Sequence, residues 1–163
     1  MRYLPILASV VLLTIASSIH AQPSVRPATS GQDVATYAAA AAADPLTPTA
    51  KEQRHAAMSY AENDHSSHVL LCVKLFQQMS SLSTPDGHEI SLQYVISAAG
   101  FLYQHPDAAA DSTAQNLAGI DAALQVYEKF LAANPKNHVK ILDSLDKEKA
   151  DGKLKEAITK MCK

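Results

Sequence analysis

The chain has 163 residues, with 14 Lys and Arg against 16 Asp and Glu, and a formal net charge of −2 at pH 7. This near balance argues against an electrostatic binder of nucleic acid or of an anionic membrane, which would carry a basic stripe. With no Trp and only three Phe and six Tyr, the composition also argues against an aromatic platform for sugars.

The first 21 residues have the pattern of a secretory signal peptide. Arg2 precedes a long apolar run, and the stretch ends on the small residue Ala21. Removing residues 1–21 would start the mature chain near Gln22 and leave 142 residues, enough for one domain. No second apolar run approaches the ~18 residues needed to cross a bilayer. We therefore expect a periplasmic or secreted protein without a membrane span in its mature form.

Residues 22–45 are rich in Pro, Ser and Ala and are predicted to form a flexible N-terminal segment. Within it, Ala35–Asp44 has high helix propensity but little apolar surface to bury, so it could form a weakly packed helix or stay mobile. Residues 46–163 are predicted to form a single helical domain.

Helix start signals place the first two helices of that domain. Thr47 followed by proline is a capping hydroxyl before a ring that needs no donor, and the helix runs to about Glu62. Asp64 or Ser66 can cap the next helix, which runs to about Ser80 and is expected to be the most buried. Its apolar stripe contains Val69, Cys72, Val73, Phe76 and Met79.

The second half of the chain continues the helical pattern. After a turn at Ser83–Gly87, a helix covers EISLQYVISAAGFLYQH and ends before Pro106. Another runs from about Ser112 to Ala133, and two shorter helices are separated by Asp151-Gly152. Because no alternating strand pattern is present, the fold class is predicted to be all-α, a compact antiparallel helical bundle of five to seven helices.

One helix ending, Phe-Leu-x-x-x-Pro, occurs twice, 29 residues apart. Around the second copy, the small, aromatic and proline positions resemble the second helix of a tetratricopeptide repeat. These positions are Ala123, Tyr127, Phe130 and Pro135. The resemblance implies a bundle with helix-hairpin repeat character.

Two further resemblances concern function and compartment. The PDG turn and the helix ending in FLYQHPD, over residues 85–107, are similar to immunity proteins that guard bacteria against type VI secreted amidases. That resemblance implies an inhibitor of a secreted enzyme, although Ser83 and Thr84 stand where that family has a cysteine. The pattern from DPLTPTAKEQR to the C-terminal Gly-Lys-Leu-Lys resembles uncharacterised exported bacterial all-helical proteins, which implies a compartment and not an activity.

The two cysteines, Cys72 and Cys162, are predicted to form one disulfide, because the compartment that receives exported proteins does not keep thiols reduced. A metal site is the alternative. On a helix, His65, His68 and Cys72 would share one side, and zinc or copper accepts imidazole and thiolate together. A disulfide would remove the thiolate, so the remaining metal hypothesis uses His65 and His68 with His55 or a carboxylate.

No sequence motif points to catalysis. The chain has no G-x-S-x-G elbow, no phosphate-binding loop and no CxxCH for covalent haem. The C-terminal stretch KEKADGKLKEAITKMCK interleaves acids with lysines, which is typical of a solvated helix face. We therefore expect a protein without catalytic activity or cofactor.

The function predicted from these patterns is a helical interaction module whose partner is another exported protein. Tyr94, Tyr103 and Tyr127 are the candidate contact residues, provided that they are exposed rather than core. The alternatives are a periplasmic metal-binding protein that uses His65 and His68, and an immunity-type inhibitor of a secreted enzyme.

Overall fold

The computed structural model describes residues 24–80 and 85–163. The predicted signal peptide and residues Ser83 and Thr84 of the predicted turn lie outside the described residues. Seven α-helices and one short 3₁₀ helix form the described part, which contains no strand, and the prediction of an all-α helical bundle is confirmed. The helices are α1 (Gly31–Ala43), α2 (Pro48–Asn63), α3 (Val73–Ser80), α4 (Pro85–Gln104), α5 (Ser112–Ala133), α6 (Lys140–Ala150) and α7 (Leu154–Met161), with the 3₁₀ helix at Pro106–Ala108.

The helix boundaries follow from local capping chemistry. The Thr47 hydroxyl accepts the Ala50 N–H at 3.1 Å, and the Asp111 carboxylate accepts the Ala114 N–H at 2.9 Å, so α2 and α5 both begin at a satisfied cap. Between α6 and α7, Gly152 adopts a φ of +71°, a conformation that glycine takes without a steric penalty. These starts and stops lie where the sequence predicts them.

Helix α4 lies at the centre of the bundle, where it packs against α1, α2, α3 and α5. Its buried residues point in several directions and include Ile90, Ser91, Gln93, Tyr94, Val95, Ile96, Ala98, Ala99 and Leu102. Helix α7 packs on α5 and α6 at the other end of the chain. None of the described helices is both long enough and apolar enough to span a bilayer.

The helix predicted between residues 64 and 80 forms only in its second half, because residues 64–72 are irregular. Amide side chains of α5 take the backbone groups that a helix would need. Gln115 Oε1 accepts the Leu70 N–H at 2.8 Å, Asn116 Nδ2 donates to the Leu70 carbonyl at 2.7 Å, and Asn116 Oδ1 accepts the Cys72 N–H at 2.8 Å. The prediction that this would be the most buried helix is therefore wrong.

The segment predicted to be flexible contains α1, which is packed against its neighbours. Val34, Ala35, Ala38, Ala41 and Ala42 are buried against α2 and α4. Small residues allow this packing, since a Cβ placed on Gly100 of α4 would lie only 2.9 Å from the Ala35 Cα. The expectation that this stretch has little to bury underestimated how closely alanine and glycine let two helix backbones approach.

Candidate functional site

A disulfide joins Cys72 to Cys162, with the two Cα atoms 5.2 Å apart, and this confirms the predicted pairing. Cys72 immediately precedes α3, and Cys162 is the C-terminal cap residue of α7. Two helices far apart in sequence are thus covalently joined. The bond removes the thiolate on which the three-residue metal hypothesis depended.

Tyr94 supports this junction from inside the core. Its hydroxyl donates to Asn116 Oδ1 and accepts the Cys72 N–H at 3.3 Å. The side chain is fully buried, and this burial raises the pKa of Tyr94 to about 12. Tyr94 is a core residue, so the condition of exposure on which its contact role depended is not met.

Tyr127 is also part of the core, and its hydroxyl joins α5 to the start of α6. The hydroxyl donates to Asp143 Oδ1 at 2.5 Å and accepts the Val139 N–H at 3.0 Å. Burial, reinforced by the hydrogen bond to Asp143, raises the pKa of Tyr127 to about 12. The condition of exposure on which its contact role depended is therefore not met for Tyr127 either.

Tyr103 is half-buried and is likewise used inside the molecule. Its ring meets Tyr60 edge to face at 6.0 Å, and its hydroxyl donates to Asp64 Oδ2 at 2.8 Å. Hydrogen bonds from Ser66, and then from Tyr103, hold the pKa of Asp64 below its usual value. Because its ring and hydroxyl are both engaged within the molecule, Tyr103 is a weaker contact candidate than the sequence suggests.

The predicted metal ligands His65 and His68 are exposed and lie in the irregular stretch before α3, not on one side of a helix. His55 of the same hypothesis lies on α2, where its ring faces His88 at 6.3 Å. Among the described residues, no group of three or more His, Cys, Asp or Glu side chains is placed to hold a metal ion. The helical geometry that suggested a metal site is absent.

A groove lies between α3, α6 and α7, with a volume of ≈ 770 Å³. We call it the α3/α6/α7 groove. Its apolar lining consists of Leu145, Ala157 and Met161. Its polar and charged lining consists of Lys74, Ser144, Lys147, Glu148, Asp151, Lys153, Glu156 and Lys160.

The walls of the groove follow from the amphipathic pattern of α6 and α7. Leu142 and Leu145 of α6 and Leu154 and Ile158 of α7 are buried in the core, so the polar faces of both helices turn outward. Lys149 holds α6 against α5 through an ion pair with Asp121 at 3.0 Å, and the disulfide joins the end of α7 to α3. The groove is thus built into the fold.

The closest approach to a catalytic arrangement lies outside this groove. His138 Nδ1 is 3.1 Å from Asp143 Oδ1, the oxygen that also accepts the Tyr127 hydroxyl. The His138 side chain is 60% exposed. No serine or cysteine of the described residues is hydrogen-bonded to His138, and this pair therefore lacks the nucleophile of a triad.

Arg54 is the main feature that sequence reasoning missed. It is 1% exposed, and its Nε lies 2.6 Å from Glu89 Oε2. The two terminal nitrogens donate to the carbonyls of Ala41 at 3.4 Å and Pro45 at 3.2 Å. Arginine is rarely this buried, and the only available signal was that Arg54 lies three residues before Ala57, on the buried side of α2.

Comparisons of the chain with protein-family models, with curated proteins and with solved structures found no match.

Proposed function

We propose that this chain is a small exported helical protein that binds another protein and has no catalytic activity. The observation that carries the proposal is the α3/α6/α7 groove, whose apolar floor and charged rim lie between helices fixed by a disulfide. A recognition surface that is already ordered costs less conformational entropy when a partner binds.

The charged groups of the groove support binding rather than catalysis. Four lysines and three carboxylates of the rim have no ion-pair partner among the described residues. The lysines are Lys74, Lys147, Lys153 and Lys160. General acid or base catalysis requires a pocket that excludes water and shifts a pKa. These rim groups stand at the solvent edge of an open groove, where they are available to a partner's charges.

Photo-crosslinking tests the proposal. A photoreactive amino acid would replace Lys147, on the exposed rim of the groove, or Lys51, on the exposed face of α2, as the matched control. We expect one adduct of defined mass in the exported fraction from position 147 and none from position 51. The captured protein should retain its unmodified mass, since a cleaved or altered partner would indicate an enzyme.

Equal adducts from both positions, or none from position 147, would contradict a groove-based interaction.

Export is tested on the same material. Because the sequence predicts signal removal, the recovered chain should begin near Gln22. The disulfide fits an oxidising compartment, so Cys72 and Cys162 should resist alkylation until a reductant is added. A full-length, thiol-reactive chain in the cytosol would argue against export.

A further inference from the structure

This inference rests on the proposed function and concerns the chemistry of the partner. The α3/α6/α7 groove and the adjoining outer face of α7 collect lysine side chains. They are Lys74, Lys147, Lys153, Lys155, Lys160 and Lys163. The same surface contains three side-chain carboxylates, Glu148, Asp151 and Glu156, and is thus locally positive although the whole chain has a formal charge of −2.

These lysines are not used to hold the fold together. Two other lysines do so: Lys149 pairs with Asp121 at 3.0 Å, and Lys129 donates to the Ala43 carbonyl at 2.9 Å. The six lysines around the groove make no ion pair with any described residue. Their positive charge is therefore available to an external anion-bearing group.

The shape and composition of the groove restrict which kind of molecule can carry that anionic group. Ala157 and Met161 are partly exposed and, beside the buried Leu145, give the groove an apolar floor, so an occupant must supply apolar side chains as well as negative charge. The carboxylates of Glu148 and Asp151 would repel a nucleic-acid backbone, and a concave surface does not match a flat membrane. We propose that the groove docks an acidic amphipathic segment of the partner protein, with its apolar side on the floor and its carboxylates at the lysine rim.

The outer side of α3 offers a continuation of the apolar contact. Val73 is 67% exposed and Phe76 is 38% exposed, and both lie on the same two-turn helix as the groove residue Lys74. Exposed apolar side chains beside a groove are typical of surfaces that bind a helix. A segment longer than the groove would contact them.

The test uses three synthetic peptides: an acidic amphipathic helix of Leu and Glu, the same composition in scrambled order, and a basic amphipathic helix of Leu and Lys. Binding to the oxidised mature chain is measured by fluorescence anisotropy. We expect binding of the first peptide alone, weakened by salt because the rim attraction is screened. The double variant Lys147→Glu and Lys160→Glu should weaken binding of the acidic peptide by at least about ten-fold. Met161→Asp should also weaken that binding. The control variant Lys51→Glu on α2 should change the affinity less than about two-fold.

Several results would overturn the inference. They are failure of the acidic amphipathic peptide to bind, equal binding of the scrambled or basic peptide, unchanged binding by the double variant, or tighter binding to anionic vesicles or single-stranded DNA. The proposed function would survive such a result if crosslinking from position 147 still captured a protein partner. If crosslinking captured none, the proposed function itself would fail.

Discussion

At the scale of single residues, Arg54 is the clearest case of a charge placed in the core. It pairs with Glu89 at 2.6 Å and donates to the carbonyls of Ala41 and Pro45, which close the C-terminal end of α1. We expect Arg54→Ala to lower the free energy of unfolding by about 3–5 kcal/mol, because it leaves a half-buried carboxylate and buried carbonyls without their donor. Urea unfolding followed by circular dichroism measures the loss.

The control for this prediction is Lys51→Ala, an exposed position on the same helix, which should change stability by less than about 0.5 kcal/mol. If the ion pair carries the effect, adding Glu89→Ala to Arg54→Ala should cost little more, since the carboxylate left without its partner is gone. Additive losses from the two substitutions would show that Arg54 acts through packing alone.

The buried tyrosines predict a stability change in alkali. Burial raises the pKa of both Tyr94 and Tyr127 from 10.0 to about 12, so the folded state binds each hydroxyl proton more tightly than the unfolded state does. This stabilisation is fully present below pH 10 and is lost as the pH rises from about 10 to about 12. We expect the free energy of unfolding to fall across that window, and to fall less steeply in Tyr127→Phe.

Ultraviolet absorbance of tyrosinate checks the same point directly, because the folded protein should show a late-titrating class of hydroxyls that disappears in urea. Tyr127→Phe should reduce the amplitude of that class. A wild-type titration in which every tyrosine ionises near its ordinary pKa would contradict the assignment of these hydroxyls to the core.

The sequence allowed some residue roles to be predicted and not others. The pairing of Cys72 with Cys162 followed from counting, since two cysteines in an oxidising compartment have one intramolecular partner. The burial of Tyr94 and Tyr127 did not follow, because tyrosine occurs both in cores and at interfaces. Only tertiary contacts show that Asn116 and Asp143 accept hydrogen bonds from the two tyrosine hydroxyls.

At the scale of helices, the contact between α1 and α4 depends on the absence of a side chain. A Cβ on Gly100 would lie 2.9 Å from the Ala35 Cα, a backbone atom that cannot move without shifting α1. Glycine to alanine inside a helix ordinarily stabilises by about 1 kcal/mol. We expect Gly100→Ala to do the opposite and to destabilise by about 1–3 kcal/mol, as overpacking does, measured by thermal unfolding.

Thr36→Ala serves as the control, because Thr36 is exposed on α1 and its hydroxyl bonds only the Gln32 carbonyl within the same helix. It should leave stability within about 0.5 kcal/mol of the wild type. A Gly100→Ala protein more stable than the wild type would mean that α1 does not pack closely on α4.

Several helix boundaries were predictable from local chemistry, although α4 begins at Pro85, inside the predicted turn. The Thr47 cap, the Ser112–Ala133 helix and the Gly152 break all lie at the expected positions. The irregular stretch 64–72 was not predictable, because its backbone partners are Gln115 and Asn116, more than forty residues away. Its apolar pattern was compatible with a helix, and the long-range hydrogen bonds decided the outcome.

At the scale of the whole molecule, two clusters of buried apolar residues in the described part of the chain meet along α4. The smaller cluster joins α1, α2 and α4 through Val34, Ala38, Ala57, Ile96 and Ala99. The larger cluster contains the core of α5, α6 and α7, together with the disulfide residue Cys72. The candidate groove belongs to the larger cluster, and its geometry depends on how firmly α6 and α7 are held. The sequence predicted the helices that form its walls, but their placement around one groove depends on tertiary packing.

The dependence of the groove's geometry on how firmly α7 is held can be tested at the disulfide. Replacing Cys72 and Cys162 with serine opens a link across 90 residues, which the chain-entropy model values at about 4–5 kcal/mol of stability. The cost should not be spread evenly, because α7 is short and packs mainly on α5 and α6 apart from the disulfide, whereas α1, α2 and α4 pack closely on one another. Native-state hydrogen exchange should show the largest loss of protection in α7 and α3 and the smallest in α1 and α4.

Wild-type protein treated with a reductant should give the same pattern, and binding of the acidic amphipathic peptide should weaken in parallel, since the groove loses a fixed wall. A uniform loss of protection along the chain would show instead that the molecule opens as a single cooperative unit and that the disulfide stabilises the groove no more than the rest.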